Sequence, residues 1–208
     1  MRLYLASTSP ARLATLRAAG IEPIVLASEV DEDAAVAKAG SLSSVETVAL
    51  LARLKAEAVL GRSVDGAPID GFVLGCDSAF ELDGVTYGKP HTPAVAKERW
   101  QLQRGRTGIL HSGHSVIDCR DGVVGAARGA VSSSLVRFVA DIDDDELDAY
   151  IATGEPLEVA GAFTIDSLGS AFIESVDGDP HAVVGLSVST LRLLLRDFGV
   201  SWTAMWTR

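Results

Sequence analysis

A mixed α/β fold, a twisted sheet flanked by helices, is the class this sequence predicts. Apolar runs of strand length alternate with segments whose apolar residues recur at helical spacing. The longest such run, residues 72–80, is nearly continuous, as a central strand covered on both faces would be. Directly after it, Asp83-Gly84 is a two-residue hairpin signal, which makes at least one strand pair antiparallel.

Residues 3–6 read as a buried strand. Ser9 then caps a helix that has Pro10 at its first position, Leu13 and Leu16 on one face and Gly20 as its stop. Residues 24–26 give a second short strand, followed by an acidic loop with Glu29, Asp31, Glu32 and Asp33. Ser43 with Glu46 forms a capping box for a long helix ending near Gly61. Its apolar stripe of Val48, Leu51, Ala52, Ala58 and Val59 also takes in Lys55. Thr92-Pro93 opens a helix to Leu102, and residues 109–117 pair with 123–139 as strands. Residues 143–153 are helical and stopped by Gly154, 162–165 and 170–175 form a short strand pair, and a last helix runs over 188–198 between Ser187 and Gly199.

The 208 residues are 48% hydrophobic and contain no linker, repeat or low-complexity tract, so a single domain spanning 1–208, with room for two lobes, is expected. A net charge of −10 argues against nucleic acid or an anionic membrane as partner, because clustered Lys and Arg recruit those surfaces. Any phosphate ligand must be small and locally neutralised, which points to a divalent cation such as Mg²⁺. Cys76 and Cys119 have no CxxC spacing, so neither a disulfide nor a zinc site is expected and the cytoplasm is the natural compartment. The opening apolar run is too short for a signal peptide, and no stretch reaches membrane-span length.

Some positions break the pattern. The Ser7-Thr8-Ser9 turn before a helix can hold an anion on free backbone N–H groups and hydroxyls, and Arg12 adds a forked cation where the helix dipole disfavours one. Ser9 serves equally as an ordinary cap beside a solvated Arg12. Asp77 interrupts an apolar strand, where an ionised carboxylate is costly unless it meets a cation or metal, or marks the strand's emergence into water. Counting back from the hairpin, Ser78 pairs with Lys89, which brings that lysine one step from Asp77, on the opposite face unless the strand bends. Lys55 on a buried stripe either snorkels or meets an anion. Arg12, Lys55 and Lys89 with Glu32 and Asp77 are jointly the set that a metal-triphosphate site needs. His111 and His114, three apart on a strand, face opposite ways; Cys76 reads as a buried small hydrophobe; Asp141 and 143–146 read as an acidic helix start.

At these residues the chain resembles the Maf family of nucleoside triphosphate pyrophosphatases over nearly its whole length. Leu5-Ala6-Ser7-Thr8-Ser9-Pro10-Ala11-Arg12 is similar to the family's opening motif, Val30-Asp31-Glu32 to its Asp-Glu, and Leu51-Ala52-Arg53-Leu54-Lys55-Ala56 to its Leu-Ala-x-x-Lys-Ala. Gly75-Cys76-Asp77-Ser78 with Gly88-Lys89-Pro90, Gly105-Arg106-Thr107, Glu155-Pro156-Leu157 with Ala160-Gly161, and Val184-Gly185-Leu186 follow in order. The resemblance implies a house-cleaning nucleotide pyrophosphatase fold with a cleft between two lobes, dependence on Mg²⁺ or Mn²⁺, and hydrolysis of a nucleoside triphosphate to monophosphate and pyrophosphate. It implies Asp77 as proton acceptor, Glu32 and Asp77 at the metal, and Ser7, Ser9, Arg12, Lys55 and Lys89 around the triphosphate. Family branches differ at three positions, here Ala11, Ser78 and Asp166, which match neither the dTTP/UTP set nor the 7-methyl-GTP set, so the base stays open. A homodimer is a plausible analogy. A nucleotidyltransferase, or a nucleotide-binding regulator of cell division without turnover, are the alternatives; monophosphate formed stoichiometrically with pyrophosphate from triphosphate and metal alone would separate them from a hydrolase.

Overall fold

The computed structural model describes residues 1–207. Seven strands form one mixed sheet: β1 (Leu3–Leu5), β2 (Ile24–Val25), β5 (Phe72–Leu82), β6 (Val85–Tyr87), β7 (Thr107–Asp118), β8 (Ala127–Phe138) and β9 (Ile173–Asp177), while β3 (Ser63–Val64) and β4 (Ala67–Pro68) form a separate ribbon. The order is β2-β1-β5-β7-β8-β9 with β6 also on β5; β1 runs parallel to β2 and β5, and every other pair is antiparallel. No helix among the described residues is long and apolar enough to cross a membrane.

Local chemistry places the helices. Pro10 begins α1 (Pro10–Ala18) under a Ser9 cap. The Ser43/Glu46 box closes both reciprocal hydrogen bonds at the start of α3 (Ser44–Glu57). Thr92 caps α4 (Pro93–Gln103), Asp143 with Glu146 caps α5 (Asp144–Ala152), and Ser187 caps α7 (Val188–Asp197). Asp179 caps a short α6 (Pro180–Val184) that ends at Gly185, φ 119°.

The sheet's two faces are unequal. Toward α3 lie Tyr4, Val73 and Ile117, packed with Ala56 of that helix and Val59 just past its end. On the other face Phe72, Leu74 and Cys76 pack with Leu16, Leu186 and Leu191 of one cluster. Further along the same strand, Phe80 and Leu82 join Trp100, Phe138, Tyr150 and Phe163 in another. Ser78 stands between these two apolar clusters along the strand.

The helix α3 rides unusually close to the sheet because two glycines make room. A Cβ on Gly75 would sit 2.1 Å from the Ala52 carbonyl oxygen, and one on Gly113 would sit 2.2 Å from that of Val48. Gly113 is the cross-strand partner of Asp77, so this slot sets how near α3 comes to that carboxylate. Gly113→Ala is expected to lower stability by about 2 kcal/mol, the scale of an overpacked core, read as a lower urea midpoint. An unchanged midpoint would mean that α3 is free to shift.

Several expectations need correction. The acidic segment is a loop only as far as Asp31, which accepts the Ala34 N–H at 2.9 Å and caps α2 (Glu32–Ala39), whose first turn welcomes Glu32 and Asp33. Ala58, placed on the buried stripe, is exposed just past the end of α3. The strand pair 162–165 with 170–175 does not form; 3₁₀ turns Ala160–Ala162 and Leu168–Phe172 take residue 162 and residues 170–172, and only β9 pairs, with β8. Gly161 at φ 74° and Ala162 at φ 62° break the extended path there. The hairpin begins as expected with Leu82 opposite Val85, but ends at the Phe80–Tyr87 pair, so Ser78 never pairs with Lys89. The Gly88 carbonyl instead accepts from Arg99 and from the Gly161 N–H, which draws the chain off the ladder.

Candidate active site

One edge of β5 is interrupted. β1 lies beside Phe72, Val73 and Leu74, and β6 lies beside Phe80, Glu81 and Leu82 on the same edge, since β7 occupies the other throughout. Residues 75–79 therefore have no strand next to them on that side. Main-chain groups alternate between edges; Phe72 donates to Arg2 and Leu74 accepts from Ala6 there, so Cys76 and Ser78 direct their N–H and C=O groups into the gap. β1 ends at this gap and delivers the Ser7–Ser9 turn and the start of α1 to it.

On the α3 face of the gap, Lys55 and Asp77 are both buried, and their Nζ–Oδ1 distance is 2.6 Å. The same ammonium lies 2.8 Å from Glu32 Oε1, at the first turn of α2. Lys55 thus neither snorkels nor stays unpaired; it bridges two carboxylates. Burial pushes the Asp77 carboxyl above its ordinary value, against the pull of Lys55 and Arg12.

On the other side, Arg12 is held by three of its five N–H groups. Nε donates to the Gly185 carbonyl at 2.9 Å, Nη1 to Ser7 Oγ at 3.2 Å, and Nη2 to Ser78 Oγ at 3.1 Å. Ser7 Oγ also accepts the Ser9 N–H at 3.2 Å, so turn and arginine form one unit. Ala11 is half-buried beside it on α1.

Lys89 is placed elsewhere. It is exposed at the hairpin base, 3.8 Å from Glu158, and makes no ion pair with Asp77. Asp166 is exposed in the loop between the two 3₁₀ turns. That loop is tied by Glu155, which accepts from the hydroxyls of Thr164 and Ser167 and the N–H groups of Leu168 and Gly169. Burial works to raise the Glu155 carboxyl, but these four bonds outweigh it and hold it at about 2. The stability this gives is fully present above the unfolded carboxylate value and is lost as pH falls toward 2. Glu155→Gln is expected to flatten that acid limb in urea titrations between about pH 5 and pH 2; an unchanged limb would release Glu155 from this role.

His111 and His114 do face opposite ways. His111 Nδ1 is 2.7 Å from Ser133 Oγ, and His114 Nε2 accepts the Ser187 N–H at 2.8 Å, which leaves it neutral, with its pKa pushed down to about 4 by burial first and then by Arg12. Cys76 and Cys119 are buried and free. Sequence reasoning passed over Ser112 and Gly113, single small residues that carry no motif, and over the anchoring by Glu155; Gly75 entered only as part of the motif around Asp77.

An α/β sheet broken at one edge, with a clamped guanidinium and a buried carboxylate–lysine pair at the break, suits the class of proteins that handle phosphate anions. The chain belongs to the Maf-like protein family, whose match covers residues 2–198. It is 65% identical over 212 residues to a nucleoside triphosphate pyrophosphatase of Leifsonia xyli subsp. xyli, covering 100% of this chain and 98% of that protein. It is 50% identical to one of Salinispora tropica, covering 100% and 88%. The solved structure of the Staphylococcus aureus Ham1 protein overlaps 67% of this chain and 73% of its own, at 17% identity and a TM-score of 0.42.

Proposed function

We infer that the whole chain, 1–208, is one domain that hydrolyses a nucleoside triphosphate to the monophosphate and pyrophosphate, acting in the cytoplasm on non-standard or surplus nucleotides. The observation that carries this reading is Lys55 bound at once to Asp77 and Glu32 beside the Arg12 clamp. Two carboxylate oxygens within 3 Å of one nitrogen define a point that a small cation can share. No cluster of three or more candidate metal-ligating side chains occurs among the described residues, so the protein alone builds no closed cage. That donor set fits Mg²⁺ or Mn²⁺, which are commonly held by one or two carboxylates with substrate oxygens and water. A cation held by Glu32 and Asp77 would neutralise phosphate charge and polarise the α-phosphorus.

The chain's own residues do the rest. Ser7, Ser9 and the α1 start, with the two N–H groups Arg12 has left, cradle phosphate oxygens. Lys55 exchanges its carboxylates for phosphate, and Lys89 would leave Glu158 to join it. Asp77, with its pKa raised by burial, accepts a proton from the water that attacks the α-phosphorus; the bond to the bridging oxygen breaks and pyrophosphate leaves. Ala11, Ser78 and Asp166 are the positions at which base choice would be made.

Incubation of the protein with Mg²⁺ or Mn²⁺ and each of a full set of standard and modified triphosphates tests this. Monophosphate and pyrophosphate in equal amounts are expected from at least one of them. Binding without turnover across the set would overturn the reading.

A further inference from the structure

Ser112 lies in the middle of β7, wholly buried, directly across from Ser78 on β5. Its Oγ is 2.7 Å from the Ala182 carbonyl of α6 and 2.9 Å from Ser78 Oγ. A carbonyl oxygen only accepts, so the single hydroxyl proton of Ser112 goes to Ala182. What Ser112 can then offer Ser78 is a lone pair, so the Ser78 proton is committed to Ser112, and a Ser78 lone pair is left to take the Arg12 Nη2–H. The relay runs one way: Arg12 to Ser78 to Ser112 to Ala182.

Satisfying α6 does not require this relay. The Ala182 carbonyl already accepts the Gly185 N–H at 3.0 Å, and Gly185 in turn gives its own carbonyl to Arg12 Nε. One turn of α6 therefore fixes the guanidinium twice, directly through Gly185 and indirectly through two serines. We propose that Ser112 is a positioning residue for the phosphate contact of Arg12, acting through Ser78. Without its hydroxyl, the Ser78 proton has no fixed direction, and the guanidinium plane loses one of its anchors. This rests on the reading of Arg12 as a phosphate ligand.

Calorimetry with inorganic triphosphate and Mg²⁺, which avoids any dependence on the base, tests it in a mutant cycle with Arg12→Ala. Ser112→Ala is expected to weaken binding about tenfold, the worth of one hydrogen bond to a charged group, and to raise KM for the nucleotide with kcat within about twofold of the parent. The same substitution in the Arg12→Ala background should change nothing further. Ser78→Ala breaks the relay one link earlier at a half-buried site, so it tests the same chain should Ser112→Ala fold poorly; the double serine variant should be no weaker than either single one. Equal weakening with and without Arg12, or none in either serine variant, would overturn the role of Ser112. Unchanged binding in Arg12→Ala alone would instead remove the phosphate reading of Arg12, and the proposal with it.

Discussion

Asp77→Asn is expected to lower pyrophosphate release by about a thousandfold or more, the range lost with a positioned general base, while the melting temperature stays within a few degrees. The asparagine keeps the shape of the side chain, and Lys55 keeps Glu32 at 2.8 Å. Burial already works against charge at this position, so losing the charge costs the fold little. The wild type should show an acid limb in kcat/KM above the ordinary carboxylate range, because a base must be ionised and burial raises its pKa; activity climbs as pH rises through that limb. Full activity in the variant, or a limb at the usual carboxylate value, would take Asp77 out of the mechanism.

Lys55→Met is expected to act on both activity and stability. Activity should fall by about a hundredfold as the triphosphate loses a cation. Stability should fall because Asp77 is left buried without its partner, at a cost of about 3 kcal/mol where it is ionised. The pH dependence has a definite sign. Removing the lysine lifts the folded-state pKa of Asp77 further above its unfolded value, so the unfolded chain gives up the proton first and stability falls as pH rises. The deficit against wild type should be small near pH 4 to 5 and largest at pH 8, read from urea midpoints. A deficit that shrank with rising pH would show that the pair is not the ionised bridge described here.

The legible parts of the molecule are those with local causes. The Ser9, Ser43 and Ser187 caps act within a turn of the residues that specify them, and each formed as read. Asp77 and Lys55 were visible as charges inside apolar patterns, and the cost of burying such charges alone is what brought them together. What escaped depends on distant partners. α2 has no buried residue, so it carries no periodic signal beyond its Asp31 cap. The stretch around Phe163 has strand composition, but its ring is taken by Phe80 and Phe138 after a left-handed turn. Lys89 strays because Arg99 and Gly161 claim the carbonyl just before it. Ser112 has no motif at all; its role exists only once β5, β7 and α6 are adjacent.

The break in the edge of β5 also bears on how this chain avoids its neighbours. Free strand edges are templates on which other chains add and aggregates grow. Here the unpaired residues 75–79 are bracketed by β1 and β6 in the same row, so a foreign strand long enough to hold would collide with one of them. All of these residues but the half-buried Ser78 are buried, so the gap offers a polypeptide no open edge. A break in the edge of a sheet can thus persist in a crowded cell without becoming a seed.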